Sequence, residues 1–337
     1  MRGSLLIKAL ITFSLPTAVI TSLFLGRYPI PPTQVLEALV AGLAPSLTHS
    51  PPDPIVRIVL YYRLPRVLAA AIIGTSLSVS GASLQSMLRN PLVSPYILGI
   101  MSGAAFGAAL TIAFLPPTVP IELVAMASAL AAFALVLMIS WGWGRGSVVS
   151  LVLSGVIINA LFSAALSLAQ YLAPNPHKVA AIAFWLMGDV GQASEWGDVL
   201  RMVSVVAPCT ALLVASRWRL NILSLGDEEA KALGANPVIE RVFYAVICGL
   251  MTASVVSYAG IIGWVGLLVP HIVRLGVGSD SREVILYTTF LGGAYLVAAD
   301  DLARCLTTEV LPIGVLTTLM GAPLLIYLLR RAGRVWR

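Results

Sequence analysis

Runs of about 20 apolar residues recur along almost the whole chain, and this constrains its fold more than any other feature. At about 1.5 Å per residue, such a run crosses the roughly 30 Å hydrocarbon core of a bilayer as a helix. A helix is also one of the few backbones that satisfies its own hydrogen bonds there. The runs fall at Leu5–Leu25, Val67–Leu88, Leu92–Leu115, Val119–Trp141, Val148–Leu172, Val199–Ser216, Val242–Tyr258, Gly260–Leu275, Val284–Leu306 and Ile313–Leu329. An amphipathic segment at Val179–Met187 interrupts the series, and Pro- and Gly-rich turns such as Asn90–Pro95 and Pro116–Pro120 separate its members. The expected fold is all-α: a polytopic integral membrane protein with about ten transmembrane helices, forming a single transmembrane domain over residues 1–337.

Composition agrees. Of 337 residues, 58% are hydrophobic and 11% charged, where a soluble domain carries about 25% charge. This excludes a soluble enzyme, a disordered chain and a nucleic-acid binder. The three cysteines (Cys209, Cys248, Cys305) and three histidines (His49, His177, His271) are widely separated. They fit neither a disulfide framework nor a metal site, and no cofactor is expected. The basic start and apolar middle of Met1–Gly26 suit a signal peptide, but no A-x-A site follows and the run is long enough to span. It is read as a retained first helix. Of the 21 basic residues, 14 fall on one side of the spans and 7 on the other. The positive-inside rule then places both termini in the cytoplasm, which an even number of spans permits.

Four stretches break what a lipid-facing helix tolerates. Arg63-Leu64-Pro65-Arg66 opens the second span. Pro65 suits the first helical turn, which would set both arginines at the positive end of a helix dipole, free to receive acidic side chains of a partner. Gln85 and Arg89-Asn90-Pro91-Leu92 form a polar turn at the inner face. The longest inner loop, residues 217–241, contains Gly226-Asp227-Glu228-Glu229-Ala230-Lys231-Ala232-Leu233-Gly234. Acids in its first turn and Gly234 at its end predict a short amphipathic helix shaped to dock into another protein. Ala230 and Leu233 share its apolar side. Finally, Asp300 and Arg304 are one turn apart, so a local ion pair is expected. With Asp300 and Asp301 neutralising Arg304, Arg63 and Arg66 would be the freer cations. In the fifth span, Asn159, Ser163 and Ser167 follow one another at one-turn spacing, either lining a pathway or joining helices.

Together these stretches resemble the permease family of ATP-binding-cassette importers for iron-siderophores, haem and cobalamin (FecCD-type). The likeness runs through Arg63-Leu64-Pro65-Arg66, Ser80-Gly81 to Gly99, Leu153-Ser154-Gly155-Val156, Trp185-Leu186-Met187-Gly188, Leu225-Gly226 to Gly234, Gly263 to Arg274, and Leu311-Pro312-Ile313-Gly314 with Gly321-Ala322-Pro323. The resemblance implies a homodimer in the cell (plasma or inner) membrane, two ATPase subunits and an extracytoplasmic substrate-binding protein. It implies that Arg63, Arg66 and Arg304 receive acids of the binding protein. It makes Gly226–Gly234 the coupling helix seated on the ATPase, and sets the inner gate near Asn90, Leu92, Val148 and Val149.

An ion-coupled secondary transporter of a small metabolite is the alternative. It would need ionisable groups deep in the membrane, and the acids here sit toward span ends. An intramembrane enzyme would need a nucleophile–base pair or metal cluster, and neither is visible. No lysine follows a glycine, so a P-loop is absent and ATP hydrolysis must come from a separate subunit. The expected activity is ATP-driven alternating access for a ferric siderophore, haem, cobalamin or similar chelate, with an oxyanion also open.

Overall fold

The computed structural model describes residues 2–43, 53–144, 147–307 and 309–332. His49 and three residues of the inner basic set, Arg145, Arg334 and Arg337, lie outside the described residues. Helix α1 (Arg2–Phe24) is followed by α2 (Pro32–Leu43) and α3 (Asp53–Arg57), which runs through a π-helical segment, Ile58–Arg63, into α4 (Leu64–Met87). A 3-10 turn (Pro95–Leu98) precedes α5 (Ile100–Phe114), α6 (Ile121–Gly144) and α7 (Val148–Tyr171). Then come α8 (Pro176–Leu186), a 3-10 turn (Val190–Ala193), α9 (Trp196–Ala215), α10 (Arg217–Leu223) and α11 (Asp227–Ala232). The last four are α12 (Pro237–Ala259), α13 (Val265–Val277), α14 (Ser281–Cys305) and α15 (Ile313–Ala332).

Six helices are long and apolar enough to cross a membrane: α1, the continuous Pro54–Met87, α6, α7, α9 and α12. Helices α5, α13 and α15 are shorter and apolar, and the 25-residue α14 carries Asp300, Asp301 and Arg304 at one end. These ten correspond to the ten apolar runs of the sequence. Three boundaries differ. The third run becomes helical only at Ile100, because Pro95 starts a 3-10 turn and Gly99 takes a left-handed conformation (φ 74°). The eighth starts at Val265, since the chain is unwound over residues 260–264 with positive φ at Gly260 and Trp264. The stretch between the first two spans holds α2 and α3 rather than loop alone.

Local caps set several helix starts. Ser147, Asn175 and Asn236 accept hydrogen bonds from the backbone N–H groups of Ser150, Lys178 and Ile239, and Pro176 and Pro237 fill first-turn positions that need no donor. Asp280 caps α14, and the Arg282 guanidinium holds its carboxyl below the usual carboxylate range.

Helix α4 is the hub, almost wholly buried and packed on α14, α12, α13 and α9. Lipid tails are as apolar as leucine, so helices in a bilayer associate through close packing and hydrogen bonds. Glycine provides the closeness. A Cβ added to Gly81 would sit 1.9 Å from the Gly266 carbonyl oxygen, and one on Gly74 2.3 Å from that of Gly292. Hydroxyls stitch the same seams: Ser76 donates to the Met251 carbonyl at 2.9 Å, Thr75 to that of Thr289 at 2.9 Å and Ser78 to that of Thr288 at 3.1 Å. Gly103 and Gly107 likewise bring α5 close to α6, where an added Cβ would meet the Ser128 and Val124 carbonyl oxygens at 2.7 and 2.6 Å. Helix α7, by contrast, leaves Leu153, Val156, Ile157, Leu161, Leu168 and Tyr171 exposed.

Gly81→Ala is therefore expected to destabilise the protein by about 1–3 kcal/mol or more through overpacking. Gly142→Ala on α6, with nothing within 4 Å of the added methyl, should be neutral. Thermal unfolding of the two variants in one detergent decides; equal midpoints would refute the close-packing account.

Candidate docking, coupling and pathway sites

At one end of the bundle the chain gathers four arginines around a concavity of about 240 Å³ lined by Arg27, Arg63, Arg66 and Arg304. The sequence placed Arg63 and Arg66 at a free helix N-terminus. That premise is corrected here: the π-helical segment continues the helix across Arg63, whose own backbone is helical (φ −72°, ψ −52°), so no positive dipole end is presented. Arg63 is 5% exposed and donates to the carbonyls of Leu23 (2.9 Å) and Tyr28 (2.5 Å). It thereby satisfies the open end of α1.

The second correction concerns which cation is neutralised. Asp300, 1% exposed, grips Arg66 through both carboxylate oxygens, at 2.8 and 3.0 Å. It also pairs with Arg304 at 2.9 Å, as the one-turn spacing predicted. Arg304 further bonds Asp301 and, at 3.0 Å, Ser22 of α1, whose hydroxyl donates to Asp301 at 2.5 Å. Asp189 approaches Arg66 from the turn after α8 at 3.4 Å. Arg304 is neutralised as the sequence predicted, but so is Arg66; of the three arginines singled out in the sequence, Arg63 is the one whose hydrogen-bond partners are carbonyls. Arg27, which the sequence reading passed over, closes the rim by donating to the carbonyls of Arg304 and Thr307. Being isolated in a turn, it gave no signal in sequence.

At the opposite end, α11 forms where the sequence set it. Gly226 (φ 142°) and Gly234 (φ 78°) bracket it in conformations that favour glycine. Its apolar side is divided, however. Ala230 is fully buried against the chain's own core, while Leu233 is 57% exposed. Glu228 pairs with Lys231 at 3.0 Å on the outer surface, and Glu229 is also exposed. Asp227 points inward, accepting from buried Arg241 of α12 at 2.7 Å and from Arg89 at 3.3 Å. Arg89 itself has left-handed backbone (φ 52°), which costs a non-glycine residue about 1 kcal/mol.

The turn after α4 is tightly held. Gln85 is buried and donates to the carbonyls of Val93 (3.1 Å) and Gly266 (3.4 Å), while Arg274 of α13 donates to its oxygen at 2.6 Å. Asn90 caps the turn by accepting from the Leu92 N–H, and Leu92 projects outward. His271, midway along α13, bonds the carbonyl of Leu267 one turn earlier at 2.8 Å.

Between the two ends lies a cavity of about 640 Å³ lined by Ser94, Tyr96, Met187, Trp264, Thr318 and neighbouring apolar residues, with no charged side chain in its wall among the described residues. Its rim is a junction of irregular backbone. The Gly314 and Ile313 N–H groups bond the carbonyls of Met187 and Gly188, and the Asp189 N–H bonds that of Ala259, at 2.8–3.0 Å. The sequence reading missed Tyr96, Trp264 and Thr318, which come together only through this junction. Of the fifth-span residues, Ser163 and Ser167 are exposed. Asn159 instead turns toward α5 and the turn before it, donating to the Tyr96 carbonyl at 2.9 Å and accepting from Ser102 at 2.8 Å. The face expected to hold all three is thus split, since one-turn spacing drifts by about 40° per step on a helix of 3.6 residues per turn. Val148 is half-buried and Val149 exposed, in the first turn of α7. Among the described residues no group of three or more His, Cys, Asp or Glu is placed to hold a metal ion.

A bundle of membrane-crossing helices around an uncharged cavity, with a capped helix exposed at one end, is a multi-pass transport permease. The chain belongs to the FecCD transport family, which matches residues 14–331. It is 37% identical over 327 residues to the molybdate import system permease protein of Haemophilus influenzae, covering 96% of each chain. It is 40% identical over 296 residues to the cobalamin import system permease protein of Halobacterium salinarum, covering 87% of this chain and 79% of that one. Among solved structures it resembles an inward-facing conformation of a metal-chelate type ABC transporter, with a TM-score of 0.84 and 35% identity over 96% of this chain and 99% of that one.

Asp300→Asn should destabilise the fold by about 3–5 kcal/mol, the cost of leaving a buried cation unpaired. Arg27→Ala, which removes only exposed hydrogen bonds, should cost about 1 kcal/mol or less. Chemical unfolding in detergent measures both; an Asp300→Asn protein as stable as the parent would show that the network is dispensable.

Proposed function

We propose that this chain is the membrane-spanning subunit of a binding-protein-dependent ABC importer. It works as a homodimer with two ATPase subunits and an extracytoplasmic binding protein. The observation that carries this reading is α11. A six-residue helix bracketed by two glycines, held from behind by Arg241 and presenting exposed Leu233, is a docking element rather than a connection. The end bearing α11 faces the cytoplasm on this reading, consistent with the basic excess there. ATP-driven closure of the ATPase pair moves the two α11 helices and re-orients the subunits around a shared pathway. The exposed apolar face of α7 supports burial against a second copy, with Ser163 and Ser167 toward the axis. Relatives named for molybdate, cobalamin, haemin and iron chelatin transport support a metal chelate or oxyanion as cargo. An uncharged cavity suits weak contact in transit, leaving selection to the binding protein.

The arginine pocket at the other end is the landing site for an acidic side chain of that binding protein. Among the described residues, Arg66 and Arg304 pair with Asp300 and Asp301, and Arg66 with Asp189 at longer range, while Arg27 and Arg63 bond carbonyls. Arginine suits carboxylate pairing better than lysine.

Leu233→Asp is the direct test. It should abolish stimulation of the ATPase and transport while the protein remains folded, because a docked groove tolerates an unpaired charge poorly. Normal stimulation by that variant would overturn the reading. For the outer site, Arg27→Glu perturbs the rim without stranding Asp300. It should weaken binding-protein affinity by about tenfold, most visibly at low ionic strength. Unchanged affinity at low salt would remove the pocket from the docking surface.

A further inference from the structure

The backbone of Arg89 is one of two non-glycine residues with positive φ among the described residues. It closes the end of α4: the Asn90 N–H bonds the Gln85 carbonyl at 3.2 Å and the Arg89 N–H that of Ser86 at 3.3 Å, a helix ending at which glycine is the usual and less costly residue. The side chain does not repay that cost through stability: the Arg89–Asp227 pair is 3.3 Å long and more than a third exposed on each side, and exposed ion pairs contribute little. Arg89 therefore occupies a costly position for a weak contact.

What the contact joins gives it meaning. Asp227 is the first residue of α11, fixed on its other side by buried Arg241. Arg89 begins a segment, residues 89–98, that ends in the cavity wall at Ser94 and Tyr96. Hydrogen bonds hold that segment at separate points along its length. Gln85 takes the Val93 carbonyl, and Asn159 of α7 takes the Tyr96 carbonyl. Gln85 is in turn held by Arg274 of α13. A displacement of α11 thus reaches the cavity wall and the middle of α7 through a short stretch of chain, exposed at Leu92 and anchored in the core at Val93 and Pro95.

We propose that Arg89 is a positioning residue that transmits movement of α11 to the 89–98 segment, and so couples the ATPase-facing helix to the cavity. This deepens the importer reading and rests on it. Arg89 touches no cargo and stands behind the docking surface.

The two roles separate in one experiment. The full importer, with its ATPase subunits and binding protein, is reconstituted in liposomes, and transport and ATP hydrolysis are measured side by side for Arg89→Gly and Arg89→Lys. Glycine removes the link while relieving the left-handed backbone, so Arg89→Gly should unfold at the parent's midpoint or above. It should hydrolyse ATP at the parent rate and transport about tenfold more slowly, the size of a typical coupling effect. Arg89→Lys, which keeps a cation within reach of Asp227, should recover transport. Parent-like transport by Arg89→Gly overturns the proposal. So does a parallel fall of transport and ATP hydrolysis, which would make Arg89 part of the ATPase contact, or a lowered unfolding midpoint, which would make it structural. Failure of the importer reading itself is seen independently, in an unaltered ATPase response to Leu233→Asp.

Discussion

The structure depends on how closely other helices approach α4. In water, an apolar helix face is buried by the hydrophobic effect; between lipid-solvated helices that drive is missing, and contact density has to replace it. Gly74 and Gly81 of α4, with Gly266 of α13 and Gly292 of α14, bring backbones to separations no side chain would permit. Once the backbones are that close, serine and threonine hydroxyls reach carbonyls on the neighbouring helix. The hub is consequently closely packed, and the more exposed elements, α11 and α7, lie at its edges.

The charged network at one end follows the same logic. A buried ion in low dielectric is expensive unless it is paired and hydrogen-bonded. Asp300 meets this by serving two arginines at once, and Ser22 and Asp301 complete the partners of Arg304. The network joins α1, α4 and α14 and leaves Arg63 to close the end of α1. The cationic pocket is thus part of the fold's fastening as well as a surface, and removal of its inner members is a question of stability before it is one of docking.

The inner end has a different character. Its ion pairs are partly exposed and individually weak, and its short helix rests on a single buried alanine and one firmly held aspartate. The inner end thus joins exposed pairs to a few buried ones, Arg241 with Asp227 and Arg274 with Gln85, whereas α4 is packed along almost its whole length.

Hydrophobic periodicity alone determined that the chain is an all-helical membrane protein, because a bilayer leaves the backbone few ways to satisfy its hydrogen bonds. Turn chemistry likewise made α11 legible, since Gly226, Gly234 and the first-turn acids act locally. The Asp300–Arg304 pair was legible for the same reason, the partners being one turn apart. Everything set by long-range contact was not. That Asp300 reaches Arg66, 234 residues away, that Arg63 sits inside a continuous helix, that Asn159 turns toward Tyr96, and that Ala230 is buried while Leu233 is exposed all depend on neighbours remote in sequence. Spacing along a helix fixes which residues share a face; only the packed structure decides what that face meets, because desolvation and hydrogen bonding are properties of the assembled environment.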